Sequence, residues 1–235
     1  MNNFLEKLCR SILYHTSDAA YAVLPKRSVL RMYGWFTNTA RAITWRLACR
    51  YYGSDVIKYR GDLADFVLAE IGDGDLVIDV GCAEGNLTSL AATKARGVVG
   101  VDVDKGYIDN IDRQKRELKN VKFIMGDILE IGFKEVFDVA ILVHAIEHMP
   151  DSGKILKKLS GISRKILVET PNPDSDWVLK LLKDMGIDDL GDEKHFQLFS
   201  CSTLKEVLEK NGWRDVAVST GDGVVRAVAR SAVIK

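Results

Sequence analysis

No cysteine in this chain lies near another. Cys9, Cys49, Cys82 and Cys201 are scattered, with no Cys-x-x-Cys pair to signal a zinc site or dithiol exchange. Isolated thiols in a chain of 235 residues suit a reducing compartment, so the expected location is cytoplasmic. No apolar run approaches the length of about eighteen residues that a membrane span needs. The N-terminus, MNNFLEKLCRSILYH, interrupts its apolar positions with Glu6, Lys7 and Arg10, which argues against a secretory signal. Net charge is missing too. The 33 Lys and Arg balance 33 Asp and Glu, so no overall field selects nucleic acid or an acidic partner. Repeats and low-complexity tracts are absent as well.

The charge that is present is unevenly placed. Residues 1–60 hold ten Lys and Arg against only Glu6, Asp18 and Asp55. Such a start fits an anionic substrate, RNA, a membrane surface or a plain solvated helical face. Residues 1–65 read as a mainly helical extension, with breaks expected around Ala22–Pro25 and Arg31–Gly34. Its Trp35, Trp45, Tyr51 and Tyr52 suit either a substrate lid or, more simply, core packing.

From residue 66 to 235 the pattern changes to short apolar runs separated by helical stretches. Strands are expected at Leu76–Val80, Val98–Asp102, Val121–Ile124, Phe137–Val143 and Lys165–Glu169. Helices are expected at Asn86–Lys94, Lys105–Leu118, Ser152–Leu159 and Ser175–Met185. Near-continuous Val/Ile/Leu strands alternating with helices mean a parallel sheet covered on both faces. A last helix, Cys201–Asn211, has Ser200 as N-cap and Gly212 at its end. Two strands, Val216–Ser219 and Val224–Ala229, then turn through Gly221-Asp222-Gly223.

The run Leu76-Val-Ile-Asp-Val-Gly-Cys-Ala-Glu-Gly-Asn-Leu-Thr88 reads as a buried strand, a small-residue turn and a helix start. Gly81 permits the tight turn and Gly85 the close passage of backbone past a ligand. Twenty-one residues after Gly81 stands Asp102, at the tip of the second strand, where a carboxylate can accept from ribose hydroxyls. Met125-Gly-Asp-Ile128 follows the third strand and offers Asp127 to an adenine amino group. A dinucleotide site wants Gly-x-Gly-x-x-Gly, with pyrophosphate on the helix N-terminus. Here Ala83 replaces the middle glycine, and Glu84 puts a carboxylate where phosphate would sit. A cationic, phosphate-free ligand avoids that conflict.

On these residues the chain resembles class I S-adenosylmethionine-dependent methyltransferases, whose first motif is similar to Val77-Ile-Asp-Val-Gly-Cys-Ala-Glu-Gly85. The resemblance covers about residues 65–230, roughly seven-tenths of the chain. It implies an α/β fold, a seven-stranded Rossmann-like doubly wound sheet of order 3-2-1-4-5-7-6 with the seventh strand antiparallel. It also implies that Gly81, Cys82 and Gly85 line the methionine part of S-adenosyl-L-methionine, with Asp79 bracing the loop. Asp102 and Val103 would meet the ribose side, while Asp127 and Ile128 would frame the adenine. The product left behind would be S-adenosyl-L-homocysteine.

Methyl transfer is an in-line displacement in which alignment supplies much of the acceleration. A base is needed only where the acceptor must lose a proton. The ends of the fourth and fifth strands, where such a base belongs, carry Val143-His-Ala-Ile-Glu-His148 and Glu169-Thr-Pro-Asn-Pro173. His195-Phe-Gln-Leu-Phe-Ser200 leads into the last helix, so three of four histidines fall in this half. Ile146-Glu-His148, Thr170-Pro-Asn172 and His195-x-x-x-Phe199-Ser200 resemble the ubiquinone-type O-methyltransferases and the small-RNA 2′-O-methyltransferases. Some members of that branch hold a divalent metal in a Glu-x-x-Glu-His cluster, but His144 stands here at the first of those positions. The histidines thus have three readings: a base (His148 first, then His195 and His144), a metal set of His144, Glu147, His148 and His195, or loop bracing. Asn172 is either a substrate donor or part of a rigid Pro-Asn-Pro turn.

No Asp/Asn-Pro-Pro-Tyr/Phe follows the fourth strand and no Pro-Cys pair occurs, which counts against DNA base methylation. The leading expectation is O-methylation of a small molecule. RNA methylation through the basic N-terminal segment is the alternative, and a non-catalytic cofactor-binding partner subunit is the alternative of another class. An NAD-dependent dehydrogenase fails on Ala83 and Glu84.

Overall fold

The computed structural model describes residues 2–52, 57, 61–111, 113–175, 195–221 and 223–234. The expected helix Ser175–Met185 lies, beyond Ser175, outside the described residues, as does Asp222 of the expected hairpin turn.

Seven strands form one sheet: β1 (Leu76–Val80), β2 (Gly97–Asp102), β3 (Val121–Met125), β4 (Phe137–Val143), β5 (Ser163–Pro171), β6 (Trp213–Gly221) and β7 (Val224–Ser231). Their order is β3-β2-β1-β4-β5-β7-β6, as the resemblance implied. The first five are parallel, and β7 runs antiparallel to both of its neighbours, β5 and β6. Parallel strands connected through helices leave their C-terminal ends along one edge, and in such sheets ligands bind beyond that edge. Val80, Asp102, Met125, Val143 and Pro171 therefore mark the functional side of the molecule.

Consecutive side chains of a strand point to opposite faces, and both faces here are apolar. On one, Ile78, Ala140, Leu142 and Ile166 pack with Ile155, Leu156 and Leu159 of α7 (Ser152–Ser160) and with Leu204 and Leu208 of α8 (Cys201–Lys210). Trp213 closes this side, its indole Nε1–H donating to the Leu156 carbonyl at 3.1 Å. On the other, Val77, Val139, Ile141 and Leu167 meet Leu63 and Val67 of α3 (Leu63–Ala69) and Leu87 and Ala91 of α4 (Asn86–Ala91).

Some helices differ from expectation. The stretch 105–118 is not one helix but two short ones, α5 (Lys105–Asp109) and α6 (Arg113–Arg116). Gly106 and the β-branched Ile108 and Ile111 weaken helix propensity there, and the Arg116 guanidinium takes the carbonyl of Ile111 between the two pieces. Helix α4 stops at Ala91, three residues early, where Thr93 turns its hydroxyl back onto the Leu90 carbonyl.

The N-terminal helices are α1 (Asn2–Val23) and α2 (Lys26–Tyr52). The break at Pro25 is observed, because proline cannot donate within a helix. The expected break at Arg31–Gly34 is not. A lone glycine costs a helix only about 1 kcal/mol, and Gly34 lies buried inside the unbroken α2. Tyr51 and Tyr52 are exposed rather than core, packed edge-on at 4.8 Å between ring centroids. Among the described residues, no helix is long and apolar enough to cross a membrane.

Candidate active site

The loop after β1 is bound inward through four of its N–H groups. The N–H groups of Gly81 and Cys82 both donate to the Val101 carbonyl, at 2.8 and 3.1 Å. The Ala83 N–H donates to Asp102 Oδ2 at 2.8 Å, and the Gly85 N–H to the Cys82 carbonyl at 2.9 Å. A phosphate-binding loop would aim these donors at the ligand. This one spends them on the tip of β2. The backbone has to turn sharply to do so: φ is +79° at Gly81, +46° at Ala83 and +72° at Gly85. Neither glycine has room for a side chain. A Cβ on Gly81 would stand 2.7 Å from Ala145 Cβ, and one on Gly85 2.7 Å from the Phe123 ring.

Acids surround the loop. Asp79 is buried beneath it and accepts the Thr88 hydroxyl at 2.6 Å. Burial, only partly offset by that bond, and the nearby Asp102 charge push its carboxyl up to about 6. Asp102 accepts from Ala83 through one oxygen and from the Asp104 N–H through the other, at 2.8 Å each. Val103 beside it is exposed, an apolar surface at the strand tip. Asp127 is exposed and caps its own turn, Oδ1 accepting from the Leu129 N–H at 2.8 Å. The Ile128 side chain is buried in the core, so its backbone alone faces that turn. Burial, reinforced by the Asp79 and Asp102 charges, raises the Cys82 thiol, which suits packing and not nucleophilic attack.

Lys115 is a residue that the sequence reading missed. Its ammonium is drawn under the loop, donating to the Glu84 carbonyl at 3.0 Å and to Asn86 Oδ1 at 2.7 Å. Nothing in its sequence context distinguishes it from the other lysines of that basic stretch.

The second half adjoins the first through Ala145 and Met149, the side chains nearest Gly81. After β4 the chain enters the left-handed region at His144 (φ +49°) and then forms a 3₁₀ turn, Ile146–His148. A non-glycine residue there is strained, and such strain gathers at functional sites. His144 lies between two buried carboxylates: Nε2 is 3.1 Å from Glu169 Oε1, and Nδ1 is 3.5 Å from Glu147 Oε1. Behind it, Arg226 Nε donates to Glu169 Oε2 at 2.7 Å, while its Nη1 reaches Asp62 at 2.7 Å. Burial acts most strongly on both glutamates and would raise them. Hydrogen bonds and charge from His144, joined by Arg226 at Glu169, outweigh it, and both carboxyls lie below the ordinary range.

His195 is brought to His148 by bonds onto the main-chain carbonyls of the 3₁₀ turn and the residue after it, not by helix geometry. The Phe196 N–H donates to the Glu147 carbonyl at 2.9 Å, and Gln197 Nε2 to that of Met149 at 3.0 Å. The two imidazoles then stand 4.6 Å apart, centroid to centroid. Ser200 is the expected N-cap of α8, in a reciprocal capping box with Thr203. Asn172 spends Oδ1 on the Asp174 N–H and its own N–H on the Gly223 carbonyl, so it braces a turn.

Glu147, His148 and His195 present donor atoms within 4.8 Å of one another, whereas His144 is engaged with Glu169 instead of joining them. Glu147 Oε1 makes no close hydrogen bond among the described residues, with His144 Nδ1 standing 3.5 Å from it. Two imidazoles and a carboxylate fit a divalent transition metal. Those three residues would hold it, and it would supply polarisation of an acceptor oxygen.

A sheet of this order with a glycine loop bound inward and acidic strand tips defines the class I, S-adenosylmethionine-dependent type of Rossmann-like domain. Residues 52–218 match the family described as methyltransferase domain, and the chain belongs to that family. Among similar proteins is the C-methyltransferase NovU of Streptomyces niveus, 29% identical over 184 residues, which cover 74% of this chain and 42% of the relative. The (S)-tetrahydroprotoberberine N-methyltransferase of Eschscholzia californica is 35% identical over 96 residues, covering 39% of this chain and 27% of that enzyme. The chain thus spans about a quarter to two-fifths of the length of these two relatives. Magnesium protoporphyrin IX methyltransferase of Synechocystis PCC 6803, solved with bound SAH, shares the fold: TM-score 0.60, 16% identity, 83% of this chain and 96% of that one.

Proposed function

We propose that this chain transfers a methyl group from S-adenosyl-L-methionine to a small-molecule acceptor, releasing S-adenosyl-L-homocysteine. One observation carries the reading: the loop N–H groups of Gly81, Cys82 and Ala83 are consumed by Val101 and Asp102. A loop that has spent its Gly81, Cys82 and Ala83 donors and lies beside Asp79 and Asp102 repels phosphate and favours a cation. The methyl donor brings a sulfonium and an ammonium, and supplies an electrophilic methyl group whose C–S bond electrons leave with sulfur.

In this reading Gly81, Cys82 and Gly85 line the methionine part and Asp79 sets the local charge. Asp102 and Val103 hold the ribose side, and Asp127 with the Ile128 backbone frames the adenine. His148, with His195 beside it, takes the proton from an acceptor hydroxyl as its oxygen bonds to the methyl carbon. His144 holds Glu147 and Glu169 in place. Oxygen as the acceptor atom rests on those two histidines, while the relatives described above are named for transfer to nitrogen and carbon. Residues 1–65 act as an extension outside the catalytic domain, and the scattered cysteines fit a cytoplasmic setting.

Calorimetry with donor and product on wild type and Asp102→Ala tests the donor site; unchanged affinity in the variant refutes it. Transfer of labelled methyl into panels of phenols, carboxylates and amines tests the acceptor class, and labelling confined to amines would refute oxygen.

A further inference from the structure

Helix α2 carries Lys26, Arg27, Arg31, Arg41, Arg46 and Arg50 and not one acidic residue in its 27 positions. Along it, Met32, Phe36, Ile43 and Leu47 recur at i, i+4, i+11 and i+15. At about 100° per residue these four positions fall within an arc of roughly 60°. All four side chains are exposed, by 46–57%, although they are large and apolar. A stripe of this kind spans more than four turns, about 22 Å, and nothing among the described residues covers it. Exposed apolar surface in an ordered row marks a partner.

We infer that α2 is a docking helix for an anionic membrane surface, lying in the plane of the interface with its apolar stripe among the acyl chains. The two halves of the pattern each remove a different occupant. RNA would satisfy the cations, but an aliphatic stripe gains nothing from a phosphate backbone. A second copy of the chain would cover the stripe, but it would bring six more cations against these six, with no acid on the helix to offset them. A lipid leaflet with acidic headgroups matches both, taking Met32, Phe36, Ile43 and Leu47 below the headgroups and the exposed Lys26, Arg27 and Arg31 among the phosphates. Long basic side chains reach up to that level while their stems stay in apolar surroundings. The helix rests on the membrane and does not cross it, since no described helix is apolar enough to span one. This inference stands apart from the acceptor chemistry, because it uses no residue of the active site.

Co-sedimentation of the full chain with vesicles tests it. Phosphatidylcholine containing roughly one-third phosphatidylglycerol should pellet the protein, and phosphatidylcholine alone should not. Raising the salt to about 0.5 M should weaken pelleting by about tenfold or more. The variant Phe36→Glu/Ile43→Glu should lose binding by at least about tenfold, with circular dichroism and donor affinity unchanged. Should that variant misfold, Arg27→Gln/Arg31→Gln, which alters only exposed cations, should show a similar loss on the anionic vesicles. Absence of pelleting with anionic vesicles overturns the inference. So does undiminished binding in both variants. Tighter binding to a random-sequence RNA oligomer than to the vesicles would assign the helix to RNA. A dimer in sedimentation equilibrium that Phe36→Glu/Ile43→Glu dissociates would assign it to self-association. Either result overturns the membrane assignment.

Discussion

Thr88 gives its hydroxyl to Asp79 at 2.6 Å, in a place closed to solvent beneath the glycine loop. That bond does not compensate for burial, and the carboxyl is raised from 3.8 to about 6. The folded protein therefore prefers Asp79 neutral. Stability from this group is full below the unfolded value, is lost as pH rises between 3.8 and about 6, and stays lost above. Asp79→Asn should recover up to about 3 kcal/mol at pH 8 and nothing at pH 4, read as the variant-minus-wild-type difference in urea unfolding. The same variant should bind the methyl donor more weakly, because it removes a negative charge next to a cation.

Asp102 holds the loop through one oxygen, on the Ala83 N–H, and its own turn through the other, on the Asp104 N–H, so an amide is a poor substitute. Asp102→Asn keeps one acceptor and turns an NH₂ toward a backbone N–H. Calorimetry should show donor affinity reduced by about ten- to a hundredfold, with a stability loss of about 1–3 kcal/mol by denaturation. Wild-type affinity in this variant would mean that the loop is held by Val101 alone.

Arg226 compensates a carboxylate that is almost wholly out of water. Arg226→Met strands Glu169 and should cost about 3–5 kcal/mol in chemical denaturation at pH 7. Adding Glu169→Gln should restore much of that loss, since a neutral amide needs no cation. The lowered Glu169 carboxyl supports the fold above the ordinary carboxylate value, and that support fades as pH falls through its folded value. The penalty of Arg226→Met should therefore shrink in acid.

The strands were readable because β1, β4 and β5 are buried on both faces along their middles and so carry apolar runs there, Val77–Ile78, Val139–Val143 and Ile166–Val168. The turn after β1 and the placing of Asp102 and Asp127 at the ends of β2 and β3 were readable because their spacing along the chain is short and stereotyped. The strand order came from the family likeness, not from periodicity. Gly34 reads as a break although α2 runs through it, because a lone glycine looks the same in a turn and in the interior of a long helix. The His144–Glu169–Arg226 chain was unreadable for another reason: Arg226 stands 57 residues beyond Glu169, in a strand whose alternation gives no hint that its arginine points inward.

His148 and His195 carry the proton step in the proposed mechanism. Replacing either by alanine should lower kcat by about a hundredfold, with donor affinity in calorimetry left as it was. Activity should survive dialysis against EDTA. Loss on chelation and recovery with a transition metal would instead give the Glu147, His148 and His195 donors to an ion.

The antiparallel placement of β7 between β5 and β6 has a consequence for biosynthesis. The ribosome delivers β1 to β5 and the whole His144–Glu147–Glu169 group well before residue 226 is made. Until the last hairpin inserts, Glu169 has neither its arginine nor the neighbouring strand that shields it. The nascent domain thus holds an acid paired only with His144 at its open sheet edge, and a charge there disfavours pairing of that edge with another chain. Docking of β7 adds the arginine and seals the edge in one event, so the face that carries the candidate site is complete only once residue 226 has been delivered.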